Sequence, residues 1–469
     1  MRRIAYRFLA VISLLATATV TTMAETRAHY GGTLRVLMQS APDSLDIPAT
    51  APTTSYWSAA RTLTLVGDTL VNVDAQDRPQ PALAVAWQSD PSAGHWQFTI
   101  RRGVKFHDGS AATAAAMAQI LGAIHPNWNV RASEDTLFIE SDSPLRLLLA
   151  ELALPRNLVL KYDGHGVPIG TGPFLVADWQ PAKLLKLAAN EASWAGRPFV
   201  DVVEIEFGKS LRDQAIALTL GKADVIEAAA QATIEPQRHD TTSSSLPVEL
   251  LALVFSATSK AQDARLREAL ALAIDRKPIQ SVLLKGAGEA AASILPNWMT
   301  GYSAVFPVQA NPQRARALLA ETRQPALSLS YDPRDPQAQL IAERIALNAR
   351  EVGITLQVSL SGSEDIRLAR IALPSPDPAT ALNEVARQLK LVQPIFPATR
   401  SDSLDGLYKA EREMLDGYPV IPLFHLPVAS AASERVRNWK ADRLGTWNEA
   451  GASLADVWLS DSRPDVAPQ

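Results

Sequence analysis

The stretch WQFTIRRGVKFHDG, residues 96–109, decides the fold expected of this chain. Apolar and polar side chains alternate over residues 96–101, which is the period of a half-buried strand. Arg102-Gly103 can turn the chain, residues 104–106 alternate again, and Asp108-Gly109 is a second turn signal. Locally the pattern predicts a two-strand unit, which by itself fits many folds.

Helix starts are marked by polar residues that can cap the first turn. Directly after the opening stretch, Ser110 or Thr113 can cap an Ala-rich helix that runs through Leu121. Asp263 can cap a second helix, and Asn311, with a proline at the first helical position, can cap a third. We therefore expect helices to begin at these positions.

Apolar segments between the helices predict strands. Leu34, Val36 and Met38 fall on one face of a strand at 33–38, and residues 250–255 form another strand. Segment 420–428 is apolar but interrupted by prolines, which lack the N–H that a central strand needs. We expect this last strand at the edge of a sheet.

The N-terminus predicts export. Residues 1–24 begin with three arginines, continue with an uncharged run at 8–20, and end in Thr-Met-Ala, a small-residue cleavage site. The run is shorter than the about 20 residues that span a bilayer. We expect residues 1–24 to be a cleavable signal peptide of a periplasmic protein, with an uncleaved membrane anchor as the alternative.

Composition excludes several classes of function. The chain has no cysteine, which excludes disulfides, Cys-ligated metal sites and cysteine nucleophiles. Its net charge is −4, and the three arginines of residues 1–24 take the rest of the chain to −7. A nucleic-acid-binding surface would be basic, so no nucleic-acid partner is expected.

No motif for covalent chemistry is present in the sequence. The seven histidines form neither HExxH nor HxH, and no GxSxG occurs. Gly208-Lys209-Ser210 lacks the earlier glycine of a phosphate loop, and His107 beside Asp108 is typical of a turn. We therefore predict no catalytic residue, no metal site and no cofactor.

Three segments in order resemble family 5 of the bacterial extracellular solute-binding proteins: residues 96–109, PIGTGPF at 168–174, and LREALALAIDR at 266–276. These proteins are the extracytoplasmic components of ABC importers for dipeptides, oligopeptides and nickel. The resemblance implies an α/β fold of the periplasmic binding protein type II kind, with two lobes, a cleft between them and a small extra subdomain. The implied division is lobe I at 25–61, 166–245 and 429–469, the small subdomain at 62–165, and lobe II at 246–428.

The function implied by the resemblance is transport without catalysis. The protein would capture a small molecule between its lobes as a monomer and deliver it to a membrane permease of an ABC transporter. Two alternatives belong to other classes: a secreted hydrolase, and a chaperone or sensor carrier that uses the same fold without transport. The absence of a catalytic motif argues against the hydrolase.

Candidate ligand contacts follow from where this family places its cleft, and large aromatic rings there offer rigid contact area. The alternative role is core packing for the aromatic residues and a turn or cap for the aspartates. The candidates are Ser40, Asp43, Tyr56, Trp57, Arg370, Asp377 and Trp447.

Segment RIALPSPD, residues 370–377, departs from the peptide-binding relatives. Those relatives carry an acidic residue here that pairs with the ligand's α-amine, whereas this chain has Pro374 at that position, with Asp377 as a possible substitute. A buried ammonium without a carboxylate partner is unfavourable. We therefore expect a ligand other than a simple peptide held by its α-amine, with peptide, opine, sugar and chelate classes all open.

Overall fold

The computed structural model describes residues 28–42, 44–46, 53–74, 76–228, 241–302, 304–335, 337–360, 364–392, 404–440, 443–445, 448–449 and 452–460. The predicted signal peptide and two candidate ligand contacts, Asp43 and Trp447, lie outside these residues.

Helices occur throughout the described residues, together with 3-10 turns at Pro155–Asn157 and Leu454–Asp456 and a π turn at Ile279–Leu283. The helices are α1 Thr53–Leu63, α2 Ala114–Ile124, α3 Leu148–Leu152, α4 Leu211–Thr219, α5 Ala264–Ala273, α6 Arg276–Pro278, α7 Asn297–Thr300, α8 Pro312–Leu319, α9 Ala338–Val352, α10 Pro378–Leu389 and α11 Leu404–Leu415.

The strands are β1 Thr33–Leu37, β2 Val71–Val73, β3 Pro79–Pro81, β4 Ala84–Ser89, β5 His95–Ile100, β6 Asn129–Ser133, β7 Thr136–Glu140, β8 Lys161–Tyr162, β9 Pro168–Ile169, β10 Phe174–Gln180, β11 Leu184–Ala189, β12 Val202–Glu206, β13 Val225–Ala228, β14 Thr241–Phe255, β15 Glu289–Ala290, β16 Leu327–Tyr331, β17 Leu356–Ser359, β18 Ile366–Ala372, β19 Val420–Ala432, β20 Val436–Arg437, β21 Asn448–Glu449, β22 Ala452–Ser453 and β23 Trp458–Leu459.

The predicted helix caps are confirmed. The Thr113 side chain accepts a hydrogen bond from the N–H of Ala116 at 3.2 Å, so Thr113 rather than Ser110 starts α2. Asp263 caps α5, and Asn311 caps α8 ahead of its proline. Each side chain satisfies a backbone donor that the helix leaves unpaired, which stabilises it by about 1 kcal/mol.

One large sheet carries both halves of the molecule. Its strand order is β10-β11-β12-β1-β13-β19-β14-β18-β16-β17, with β15 attached to β19. We call β10 to β13 in this order the first half, and β18, β16 and β17 the second half. The long strands β14 and β19 connect them, because β19 pairs with β13 at one end and with β14 along most of its length.

The prediction that segment 420–428 lies at a sheet edge is wrong. Strand β19 has partners on both sides, β14 on one and β13 and β15 on the other. Register shifts between β14 and β19 occur beside Pro427 and beside Pro422, where the regular ladder is already broken. A central strand therefore accommodates these prolines at irregular positions, as it does at bulges.

The opening stretch builds the core of a separate small sheet, β4-β5-β7-β6. The predicted alternation is confirmed, since Trp96, Phe98 and Ile100 are buried and the residues between them are exposed. The predicted second strand is wrong, because β5 pairs with β4 and β7 instead of with residues 104–106. Val104 and Phe106 are nevertheless buried in the same core, which explains their apolar spacing.

The first two family-like segments contact one another through His107. Its Nδ1 accepts from the N–H of Gly170 at 3.3 Å, and its Nε2 lies 3.0 Å from the carbonyl oxygen of Gly172, to which it donates. Burial lowers the pKa of His107, although the Gly172 carbonyl opposes this. Because Nδ1 accepts a hydrogen bond, the geometry is that of a neutral ring. Glycine is required at 170 because a Cβ there would lie 2.1 Å from the oxygen of Val66.

The described residues contain no helix of the length and hydropathy needed to cross a membrane.

Candidate ligand-binding cleft

A cavity of about 380 Å³ lies between the two halves of the large sheet. The first half contributes the chain after β1 and the end of β13, and the second half contributes the chain after β16 and part of β18. Helix α1 lies between them, because it packs against both β18 and the core of the first half. Strand β19 forms the floor of the cavity. We call this cavity the cleft; its lining is Gln39, Ser40, Trp57, Ser58, Arg61, Leu211, Glu227, Ala228, Glu249, Leu284, Lys285, Ala287, Arg334, Asp335, Gln337, Arg370, Leu426, Pro427, Val428 and Ala429.

Three of the predicted contacts lie in the cleft: Ser40, Trp57 and Arg370. The carbonyl oxygen of Ser40 accepts from the hydroxyl of Ser58 at 2.8 Å, which ties the chain after β1 to helix α1. The guanidinium carbon of Arg61 lies 5.8 Å from the centre of the Trp57 ring. These residues come from different elements, and only the fold brings them together.

Two other predicted contacts lie outside the cleft lining. Tyr56 is 2% exposed and belongs to a small apolar cluster; burial raises the pKa of its hydroxyl well above the ordinary value. Asp377 caps α10, accepting from the N–H of Thr380 at 2.7 Å. It lines a neighbouring cavity of about 100 Å³ together with Pro374.

Arg370 is the centre of a charge cluster that the sequence did not suggest. Its Nε lies 2.7 Å from a carboxylate oxygen of Asp335, and its Nη1 lies 3.2 Å from one of Glu249. Burial alone would lower the pKa of Arg370, but the two carboxylates raise it above the ordinary value. Burial raises the pKa of Glu249, which Arg370 and Arg61 oppose.

A second ion pair lies on the first-half side of the cleft. Arg61 pairs with Glu227 at 3.2 Å, and its Nε donates to the carbonyl oxygen of Gly445 at 2.7 Å. Glu227 also accepts from the backbone N–H of Gln39 at 2.6 Å. The Gln39 side chain donates to the carbonyl oxygen of Arg334 at 2.8 Å, and this bond joins the two halves across the cleft.

The chemistry available in the cleft is that of noncovalent recognition: guanidinium groups, one ammonium group, carboxylates, amides, two serine hydroxyls and one indole above an apolar floor. Across the part of the chain that the structure describes, no group of three or more His, Asp or Glu side chains has an arrangement that could hold a metal ion.

Most of the chain matches the model of one known protein family. The model of the middle region of family 5 of the bacterial extracellular solute-binding proteins matches residues 78–146 and 147–375. The nickel-binding periplasmic protein of Escherichia coli K12 is 27% identical over 352 residues, which are 64% of this chain and 66% of that protein. The chain thus aligns with slightly less than two thirds of this relative.

Two solved structures share the fold over most of the chain. NikA from Staphylococcus aureus, in complex with Ni(L-His)2, has a TM-score of 0.77 at 16% identity and covers 91% of this chain and 100% of its own. The dipeptide-binding protein from Pseudoalteromonas sp. SM9913, in complex with Met-Leu, has a TM-score of 0.77 at 18% identity, covering 92% and 100%. These likenesses confirm the expected two-lobed α/β fold.

Proposed function

Because the chain belongs to family 5 of the bacterial extracellular solute-binding proteins, we propose that it is the periplasmic substrate-binding protein of an ABC importer. In this role it captures a small ligand between its two lobes and presents it to a membrane permease. It acts as a monomer and performs no catalysis.

One observation carries the proposal: a polar cleft lies between two halves of a sheet that are joined by two long strands. Strands β14 and β19 pair with each other where they connect the two halves, but Pro247 faces Pro427 at a point where the register shifts. Two facing prolines supply no N–H donors, so the ladder is weakest there. Such a point suits a hinge that lets the halves close around a ligand.

The ligand proposed is not a simple peptide held by its α-amine. The carboxylate of Asp377, the one candidate in its segment for pairing with an amine, is engaged as the N-cap of α10. The relatives named above bind nickel, Ni(L-His)2 and Met-Leu, so the family accommodates different ligand classes. The proposal leaves open the opine, sugar and chelate classes, and peptides that are held in another way than by their α-amine.

The test is recovery of the native ligand. The protein is purified from the periplasm without denaturation, its bound small molecules are identified by mass spectrometry, and each is added back in a thermal-shift assay. A ligand at 100 times its Kd stabilises the folded form by about 2.7 kcal/mol, which raises the melting temperature with ligand concentration. If no small molecule shifts the melting temperature and scattering shows no domain closure, the proposal is refuted.

A further inference from the structure

Four largely buried charges meet where the turn at Pro155–Asn157 touches helix α10. Glu151 and Arg156 form one ion pair, in which Arg156 Nε donates to a carboxylate oxygen of Glu151 at 2.8 Å. Glu384 and Arg387 form the other, in which Arg387 Nε donates to Glu384 at 2.9 Å. Arg156 Nη1 also lies 3.5 Å from a carboxylate oxygen of Glu384, whose side chain is 0% exposed. The two ion pairs therefore touch each other through Arg156 and Glu384.

The contact between Arg156 and Glu384 joins the two sides of the molecule that the proposed hinge moves. On one side, Leu158 follows directly after the turn and packs in the same core as β1 and β12 of the first half. On the other side, Val385 of α10 packs in one core with Ile371 of β18, in the second half. Separation of the halves would therefore break this contact.

Each side has a balanced ion pair of its own. When the halves separate, Arg156 keeps Glu151 and Glu384 keeps Arg387. A buried charge that loses its partner is strongly unfavourable, and this arrangement avoids that outcome. The two pairs can therefore come together and separate without leaving a charge unpaired.

The same interface contains a hydrogen-bonding group that is not satisfied. The hydroxyl of Tyr56 in α1 is buried without a hydrogen-bond partner. Burial, and then the charge of Glu384, raise its pKa, so this hydroxyl lies near the ion pairs. Burial of an unpaired hydroxyl is unfavourable, and water would satisfy it if the halves separated. The interface thus differs from a permanent core contact, in which polar groups are paired.

We propose that the contact between Arg156 and Glu384 sets the balance between the open and closed forms of the unliganded protein. The inference rests on the hinge closure proposed above and names an element that regulates the same cleft. Replacing Glu384 leaves Arg156 facing Arg387 with no carboxylate between them, which favours separation. Replacing Glu151 leaves Glu384 as the one acid among the described residues within ion-pair distance of Arg156, which favours closure.

The experiment measures the distance between the halves in the full chain without ligand. Spin labels are attached at Leu220→Cys in the first half and Leu340→Cys in the second, both at exposed positions. Double electron–electron resonance then gives the populations of long and short distances. Glu384→Gln should raise the ratio of long to short distances roughly fivefold or more, as coupled conformational equilibria do. Glu151→Gln should lower the same ratio.

The matched control is Glu268→Gln, because Glu268 pairs with Arg314 at 2.9 Å within the second half, so its loss should leave the distances unchanged. Arg156→Gln removes the same contact from the other side and should also raise the ratio, which decides the test if Glu384→Gln does not fold. The inference is overturned if these two variants leave the distances unchanged, or if Glu151→Gln raises the ratio as they do. No ligand takes part, so that result leaves the proposed function standing, which fails separately if no small molecule raises the melting temperature.

Discussion

Glu411 gives the sharpest prediction about the stability of the fold. It lies in α11, is 0% exposed, and accepts hydrogen bonds from the N–H groups of Ile294 and Leu295 and from the hydroxyl of Tyr302. Burial raises its pKa to about 7, against the hydrogen bonds that lower it. The folded protein therefore prefers the neutral carboxyl.

The sign of the pH dependence follows from this raised pKa. Below the unfolded pKa of 4.5 the group is protonated in both states, and its favourable contribution is fully present. That contribution is lost progressively as the pH rises from 4.5 through about 7, because over this range the unfolded chain has released its proton while the folded protein still holds it. The 2.5-unit difference corresponds to about 3 kcal/mol, of which roughly 2.5 kcal/mol falls between pH 5 and pH 8.

The assay is equilibrium urea unfolding of wild type and Glu411→Gln at pH 5 and pH 8, followed by tryptophan fluorescence. Glutamine can accept from the same N–H groups and donate to Tyr302, so the variant should gain about 2.5 kcal/mol on wild type between the two pH values. The control is Glu413→Gln in the same helix, whose side chain is 69% exposed. An equal difference from wild type at both pH values for Glu411→Gln would show that Glu411 does not have a raised pKa in the folded protein.

Other predictions concern packing, the charge cluster and a cap. Gly170→Ala should cost about 3 kcal/mol, because its Cβ would overlap the oxygen of Val66, while Gly164→Ala, with open space around it, should cost little in the same unfolding assay. Arg370→Met should cost about 3–5 kcal/mol at pH 8 by leaving two carboxylates unpaired, and part of this loss should be recovered at pH 5; an equal loss at both would contradict the cluster. Thr113→Ala should cost about 1 kcal/mol, and no change would show that the cap is dispensable.

Local signals in the sequence predicted local structure well. The Thr113 and Asp263 caps and the buried face of β5 depend only on residues within a few positions of each other. The pairing of strands is not local. Val104 and Phe106 have the spacing of a strand because they enter the same core, and sequence alone cannot tell that from pairing.

The candidate site was predictable only in part. Trp57 and Arg370 lie in segments that the family resemblance identifies. The resemblance does not identify the charged residues that surround them. Arg370 and Glu249 are 121 residues apart, and no pattern along the chain links them. The one available signal was Glu249 itself, an acid at the start of the apolar run of β14, where a buried charge needs a partner.

A bound ligand should close the cleft between the two halves of the sheet. Because the chain has no cysteine, Leu220→Cys and Leu340→Cys can be spin-labelled selectively, one on each side of the cleft at positions 61% and 52% exposed. Double electron–electron resonance then measures the distance between the labels with and without the small molecules that co-purify with the protein. We expect a shorter, narrower distance distribution upon binding. An unchanged distribution, under conditions where the same molecules raise the melting temperature, would contradict it.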